Sequence, residues 1–310
     1  MTAMPKQTGE LCAWSALALL LLFWIRPVNA QEFSISVDVN LVVLHATVHD
    51  SRDRDVLNLH QQDFKLYEDG VAQNIRWFRR EDTPVTVGLI VDHSGSMRPK
   101  LNDVTAAARI FAQSSNPMDQ MFVINFNEKV LSAVPGASQF TDSPAALEVA
   151  IAGAPADGQT ALYDAIAAGL EELQQGAWDK KVLVVISDGG DNASKNTLAG
   201  ITRMAEQSSA LIYTVGMFSD SDADANPGVL KRLAEATGGE TFLPKEFSEV
   251  AGICAHIAAD IRNQYMIGYV PAHAKQDGAH HTVRLVAEAP GQGKLRVRTR
   301  AGYIAQGVAK

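Results

Sequence analysis

Residues 85–97 read V-T-V-G-L-I-V-D-H-S-G-S-M and carry the clearest structural signal in the chain. The first seven residues are rich in β-branched side chains, as expected for a strand buried on both faces of a parallel sheet. The strand pattern stops at Asp92, and Ser94 and Ser96 follow at alternate positions of a loop. Ligands bind beyond the carboxyl ends of the strands in open α/β sheets, so this loop is a candidate site.

The loop offers hard oxygen ligands, namely one carboxylate and two neutral hydroxyls. Such a set suits Mg²⁺ or Mn²⁺, which keep several waters and take few protein carboxylates. Ordinary turn chemistry is the alternative interpretation of the loop taken alone, because Asp, Ser and Gly all favour turns. Oxygen ligands from other parts of the chain are therefore needed to separate a metal site from a turn.

The length, the net charge and the N-terminal residues limit the class of protein to which this chain can belong. The 310 residues are enough for two modest domains and one sizeable core, and the formal net charge of −8 argues against a general nucleic-acid binder. Residues 1–30 have the pattern of a secretory signal, with Lys6 in a polar lead, a mostly apolar run at 11–25, and cleavage predicted after Ala30. We therefore expect a secreted or periplasmic protein with no membrane span after cleavage; a retained N-terminal anchor is the alternative.

Both ends of the chain predict β-structure. Strand-like segments separated by turn residues are 41–48, 64–68, 75–78, 265–270, 282–287 and 295–300. The Asp69-Gly70 turn predicts a hairpin in which 75–78 is the returning strand. Neither residues 31–84 nor residues 264–310 supply enough strands for an independent sandwich, so we expect the two regions to combine into one small β-sandwich-like domain.

Residues 85–263 alternate strands and helices. Further strands are predicted at 121–126, 130–134, 182–186 and 211–215. Helices are predicted at 102–115, 144–152, 160–174, 197–208, 229–237 and 249–263. This alternation predicts an α/β domain with a mostly parallel sheet, flanked by helices on both faces and inserted between the two β regions.

Two later parts of the chain carry chemistry that matches the first loop. D-G-Q-T at 157–160 places the Thr160 hydroxyl at a helix start, and the strand at 182–186 runs into S-D-G-G-D-N, which places Asp188 at a second strand end. The carboxyl ends of parallel strands lie at one edge of the sheet. Three loops can therefore bring five oxygen-bearing side chains together, Asp92, Ser94, Ser96, Thr160 and Asp188.

D-x-S-x-S, a later Thr and a later strand followed by D-G resemble the metal-ion-dependent adhesion site (MIDAS) of von Willebrand factor type A (VWA) domains. The surrounding sequence is similar to bacterial members in three segments, D-H-S-G-S-M, T-A-L-Y-D-A-I and I-S-D-G-G-D-N. D-F-K-L-Y-E-D-G near the start, and L-A-E-A-T-G-G-E-T-F, I-R-N-Q-Y-M-I-G-Y-V-P and R-T-R-A-G-Y near the end, resemble the secreted bacterial VWFA-related group. The combination spans about residues 41–304 and is specific, whereas D-x-S-x-S alone is weak.

The resemblance implies a Rossmann-like VWA domain at residues 85–263 and a ligand set for one divalent cation. Ser94, Ser96 and Thr160 would ligate through hydroxyl oxygen, and Asp92 and Asp188 would bind directly or through water. The ion would be Mg²⁺ in first place, with Mn²⁺ or Ca²⁺ as alternatives. The low ligand charge leaves one electrophilic open position, which a carboxylate from a partner protein fills.

The function implied is a non-enzymatic, adhesion-type module that binds a protein ligand offering an acidic side chain. The alternative is a structural or assembly component of a cell-envelope complex, in which the metal is incidental. A hydrolase is less well supported, because no G-x-S-x-G elbow surrounds Ser94 or Ser96 and His93 is expected on the opposite side of the local chain. We therefore predict no enzymatic activity.

A second metal-like pattern has a plainer interpretation. Asp220, Asp222 and Asp224 have D-x-D-x-D spacing, which is suggestive of calcium. However, Ala225 and Lys231 stand where an EF-hand needs Gly and Glu, so a solvated acidic loop is favoured.

Other chemically notable residues are also expected to be structural. Three histidines could gather around a metal, but their segment resembles an exposed turn between strands: His273, His280 and His281. Asp164 and Asp191 are expected on a helix face and in a turn, and Cys254 as a small buried hydrophobe. Three arginines alternate along one predicted strand, so they should share a sheet face that either meets solvent or docks on the acidic remainder of the molecule: Arg296, Arg298 and Arg300.

Overall fold

The computed structural model describes residues 41–80, 82–133, 139–219, 224–272 and 278–305, which belong to one unit. The expected signal segment at 1–30 lies outside these residues, as do Asp220, Asp222 and His273. Strand β5 (Val85–Asp92) is the structural centre, because every residue in it is buried. This is the burial that its apolar, β-branched sequence predicts.

The central sheet is built around β5. Its other strands are β6 (Gln120–Phe126), β7 (Val130–Ser132), β8 (Lys180–Ser187), β9 (Leu211–Gly216) and β10 (Thr241–Phe242). They lie in the order β10-β9-β8-β5-β6-β7, all parallel except for β7. Val91 of β5 lies opposite Ile186 of β8, so the two strands end at the same edge. That register places the loops after Asp92 and Ser187 side by side.

Helices cover both faces of this sheet. They are α1 (Leu101–Ser114), α2 (Pro144–Ala152), α3 (Leu162–Leu173), α4 (Leu198–Gln207), α5 (Pro227–Thr237) and α6 (Val250–Asn263). One buried core joins the sheet to α1, α2 and α6, and includes Cys254 as expected. A second core joins the opposite face to α3, α4 and α5. Of the described helices, none is both long enough and apolar enough to cross a membrane. The predicted α/β fold class is confirmed.

Strands from the two chain ends form the remaining sheets. They are β1 (Val42–His49), β2 (Phe64–Glu68), β3 (Val71–Gln73), β4 (Ile75–Arg79), β11 (Tyr265–Tyr269), β12 (His280–Ala287), β13 (Arg296–Arg298) and β14 (Gly302–Ile304). One antiparallel sheet has the order β13-β1-β11-β4, and the other has the order β14-β12-β2-β3. Alternate residues of both sheets face one shared apolar core. The predicted sandwich-like combination of the chain ends is therefore present.

The hairpin prediction was partly wrong. Asp69 and Gly70 form a tight turn with φ values of 48° and 80°, so Val71 pairs directly with Glu68 and β3 is the returning strand. The segment expected to return is β4, which pairs with β11 in the other sheet. After β3 the chain crosses between the sheets because Ile75 and Phe78 pack against the shared core there.

The arginine strip holds the C-terminal β region against the α/β domain. Arg298 binds Asp260 of α6 at 2.5 Å, and Arg300 donates to the backbone carbonyl oxygens of Glu206 and Ser208 at the end of α4. Arg296 alone is an exposed member, in an ion pair with Asp53. Docking on the same molecule, one of the two expected explanations, accounts for Arg298 and Arg300.

Candidate metal centre

The loop after β5 is held in place by Asp92. One carboxylate oxygen of Asp92 accepts from the Ser94 amide at 2.8 Å, and the other accepts from the Ser187 hydroxyl at 2.6 Å. Asp92 itself is completely buried. It therefore lies behind the loop and ties the end of β5 to the end of β8.

The serine hydroxyls lie in front of Asp92. Ser96 Oγ donates to Asp188 Oδ2 at 2.6 Å, and the Ser94 and Ser96 hydroxyl oxygens are 3.2 Å apart. A short 3₁₀ turn, Gly95–Met97, directs both hydroxyls to the same side. Two loops that are far apart in sequence thus bring three of the predicted ligands into contact.

Thr160 comes from a third loop. Gly158 has a φ of 79°, and its carbonyl oxygen accepts from the Gly95 amide at 3.3 Å, so this loop lies against the serine loop. The Thr160 amide donates to Asn192 Oδ1 at 2.9 Å, which fixes it beside the segment after β8. Thr160 then lines the same open cleft, of about 400 Å³, as Ser94, Ser96, Asp188, Asn192 and Asp224.

The electrostatics of the cleft suit a cation. Burial raises the pKa of Asp92 to about 6, and the nearby charge of Asp188 adds to the increase against the hydrogen bonds from Ser187 and Ser94. Neither carboxylate has an ion pair with a Lys or Arg among the described residues. The donor set consists of hydroxyl and carboxylate oxygens only. The residues present therefore fit a hard divalent cation such as Mg²⁺.

His93 does not belong to this cluster. It is buried, it is absent from the described lining of the cleft, and its ring nitrogens have no hydrogen-bond partner in the described structure. Burial lowers the pKa of the His93 imidazole. His93 therefore gives neither serine a positioned base.

The neighbouring acidic residues have structural contacts. Asp191 accepts from the Tyr163 amide and the Ser194 hydroxyl, and Asp164 accepts from backbone amides at positions 195 and 196. These contacts join the loop after β8 to the start of α3. Asp164 and Asp191 thus have the structural roles that were expected.

Three contributors to the cleft were not foreseen. The Ser187 hydroxyl donates a hydrogen bond to Asp92, and Asn192 Oδ1 accepts one from the Thr160 amide. Asp224 accepts a hydrogen bond from the Asn192 side-chain amide at 3.2 Å. Ser187 and Asn192 flank Asp188 in the same S-D-G-G-D-N run, so their sequence proximity was the available signal. Asp224 was assigned to a solvated loop; it is exposed but also lines the cleft.

The histidine expectation needs correction. His280 and His281 lie in β12 and not in a turn, because that segment pairs with both β14 and β2. His280 is exposed, whereas His281 is partly buried and contacts Asp69.

Comparison with known proteins identifies the central domain. A family model described as the von Willebrand factor type A domain matches residues 87–190. This chain contains a VWA domain. The matched range contains all five candidate MIDAS residues, from Asp92 to Asp188. No curated protein matches the sequence.

Solved structures share this fold. A von Willebrand factor type A protein from Catenulispora acidiphila is 16% identical, with a TM-score of 0.53 over 79% of this chain and 74% of that chain. Proximal thread matrix protein 1 from the mussel byssus, described with a zinc-occupied MIDAS motif, is 16% identical, with a TM-score of 0.51 over 64% of this chain and 50% of that chain. At these identities the likeness shows the VWA fold alone.

Proposed function

We propose that this protein is a non-enzymatic, exported binding module that recognises a protein partner through one divalent cation. The cation, Mg²⁺ in first place and Mn²⁺ or Ca²⁺ otherwise, would be held by Ser94, Ser96 and Thr160, with Asp92 and Asp188 binding directly or through water. The main observation in support of this proposal is the hydrogen bond from the Ser96 hydroxyl to the Asp188 carboxylate, beside Ser94 in an open cleft.

Charge supports this proposal. Asp188 lines the cleft and the buried Asp92 lies behind it, and neither is paired with a basic side chain among the described residues. A bound cation would therefore remove an unfavourable concentration of negative charge. Because three of the five ligands are neutral hydroxyls, the two carboxylates at most balance the charge of the ion, and its open position stays electrophilic. An acidic side chain of a partner would then be attracted to its open coordination position.

The direct test is capture of a partner from the cell-envelope fraction by the purified full chain, with and without EDTA. We expect capture in Mg²⁺, loss in EDTA and recovery when Mg²⁺ is restored. Asp92→Ala and Ser94→Ala should abolish capture while leaving the circular dichroism spectrum unchanged.

Asp157→Asn is the matched control. Asp157 is an exposed carboxylate on the Thr160 loop that is not among the proposed ligands, so capture should persist in this variant. A partner that stays bound in EDTA, and that also survives Asp92→Ala, would contradict metal-bridged recognition and indicate an assembly role instead.

A further inference from the structure

A second group of metal-ligating side chains lies in the β-sandwich. Glu68 ends β2, Asp69 opens the turn that follows, and His281 lies on the neighbouring strand β12. One ligand atom from each of these residues lies within 4.8 Å of the other two. None of the three takes part in the MIDAS cluster, so they form a separate candidate site.

The distances suit a small ion with mixed ligands. His281 Nδ1 is 2.8 Å from Asp69 Oδ2 and 4.0 Å from Glu68 Oε1. In a tetrahedral zinc site with bonds of roughly 2.0–2.1 Å, adjacent ligand atoms lie about 3.3 Å apart. The two measured distances lie on either side of that value. Side-chain movements of less than about 1 Å would therefore bring His281 to ligand spacing with either carboxylate.

The two carboxylates are oriented in the same way. Glu68 Oε2 accepts from the hydroxyls of Tyr269 at 2.5 Å and Tyr303 at 3.2 Å, which leaves Oε1 directed toward His281. Asp69 Oδ1 accepts from the Thr282 amide and hydroxyl, which leaves Oδ2 directed toward His281. Outer hydrogen bonds that fix one oxygen of a carboxylate are how proteins orient metal ligands.

The charge balance also favours a cation here. The Glu68 side chain is only 6% exposed, and among the described residues no Lys or Arg lies within ion-pair distance of it. A carboxylate buried without a cationic partner is costly. A divalent ion between Glu68, Asp69 and His281 would supply the missing charge.

We propose that Glu68, Asp69 and His281 bind a Zn²⁺-class cation, with the fourth position open to water. A set of one imidazole and two carboxylates suits Zn²⁺ better than Mg²⁺, which prefers oxygen ligands alone. The site joins residues separated by 212 or 213 positions in sequence. Bound metal therefore fastens the N-terminal hairpin to the C-terminal β region and stabilises the sandwich.

The experiment uses the full chain carrying Asp92→Ala, so that the MIDAS does not contribute. Zn²⁺ binding is measured by titration calorimetry, and Co²⁺ is used as a spectroscopic substitute. We expect one Zn²⁺ to bind, and Co²⁺ to give the intense visible absorption of a low-coordinate site with a nitrogen ligand. Adding His281→Gln should weaken Zn²⁺ binding by about 100-fold or more, since changes to outer partners alone cost roughly 10- to 100-fold.

His280→Gln is the matched control, because His280 is the adjacent, exposed histidine of the same strand and should not affect Zn²⁺ affinity. Tyr303→Phe is the second variant: it removes one donor to Glu68 Oε2 and should weaken Zn²⁺ binding roughly tenfold without removing a ligand. If the His281→Gln chain does not fold, the Tyr303→Phe titration and the Co²⁺ spectrum decide whether the Zn²⁺ site is present.

Two results would overturn the proposal. One is Zn²⁺ affinity that is the same with and without His281→Gln. The other is a folded chain that binds no Zn²⁺ in the calorimetric titration and gives no Co²⁺ absorption band, which would leave the cluster as a hydrogen-bonded contact between strands. Both results are independent of partner capture, so this proposal and the proposed MIDAS function succeed or fail separately.

Discussion

Two buried carboxylates of this molecule have opposite electrostatic surroundings. Asp92, 0% exposed, accepts hydrogen bonds from the Ser187 hydroxyl and the Ser94 amide and from no cationic donor among the described residues, and burial raises its pKa to about 6. Asp260, 2% exposed, binds Arg298 as well as the hydroxyls of Thr47 and Tyr213. Burial alone would raise the pKa of Asp260, but the charge of Arg298 and these hydrogen bonds outweigh it, so its pKa is lowered.

The difference shows how a structural ion pair can be told from a candidate metal site. Around Asp260 the protein supplies its own cation, and the cluster fastens the C-terminal β region to α6 and β9. Around Asp92 and Asp188 the described residues supply oxygen atoms and no cation. Charge that is compensated from within the chain needs no ligand, whereas uncompensated charge at an open cleft favours one.

The largest expected effect on stability comes from removing the ion pair between Arg298 and Asp260. Arg298→Met leaves Asp260 buried without its cation and should lower the free energy of unfolding by about 3–5 kcal/mol in urea denaturation at pH 7. Arg296→Met is the control, because its ion pair with Asp53 is exposed, and it should change stability by less than about 1 kcal/mol. Equal losses in the two variants would show that Asp260 does not depend on Arg298.

The second effect concerns the uncompensated cluster. Saturating Mg²⁺ at about 100 times its dissociation constant should raise the free energy of unfolding by about 2.7 kcal/mol, because it binds the folded chain only. Ser94→Ala should lose this gain, measured by thermal unfolding with Mg²⁺ and with EDTA. Arg298→Met and Asp157→Asn should retain it. A gain that persists in Ser94→Ala would place the ion elsewhere.

The smallest effect tests a third group, the imidazole of His45 on β1, a partly buried residue whose Nδ1 atom is inaccessible to solvent. Burial, with the nearby charges of Lys180 and Arg300, lowers the pKa of His45 to about 3. The unfolded chain then binds a proton that the folded chain does not, so stability falls as the pH drops below about 6.5. At pH 5 the loss relative to neutral pH should be about 2 kcal/mol.

His45→Gln should flatten this part of the pH–stability curve, as measured by urea denaturation between pH 7 and pH 5. His60→Gln, at an exposed histidine, is the control and should keep the slope of the unmodified chain. An unchanged slope in His45→Gln would mean that folding does not lower the pKa of His45 and that other groups cause the acid sensitivity.

Most of the α/β domain could be predicted because its signals are local. The apolar run of β5 specifies a buried strand, Ser143 accepts from the Ala146 amide at the start of α2, and Gly238 ends α5 in the left-handed conformation. The position of Asp92 and Asp188 at one edge followed from the rule for parallel strands. Contacts such as Ser187 with Asp92 could not be predicted, because they depend on the register between β5 and β8.

Local sequence patterns specify the alternation of strands and helices, the strand ends that carry Asp92 and Asp188, and the need for the two β regions to combine. Three features depend on the packed fold: β3 and not β4 completes the hairpin, Arg298 pairs with Asp260, and His281 contacts Asp69 beside Glu68. The physical reason is that periodicity and turn residues act over a few neighbours. Contacts between residues tens to hundreds of positions apart arise only when packed layers fix which distant side chains share one buried space.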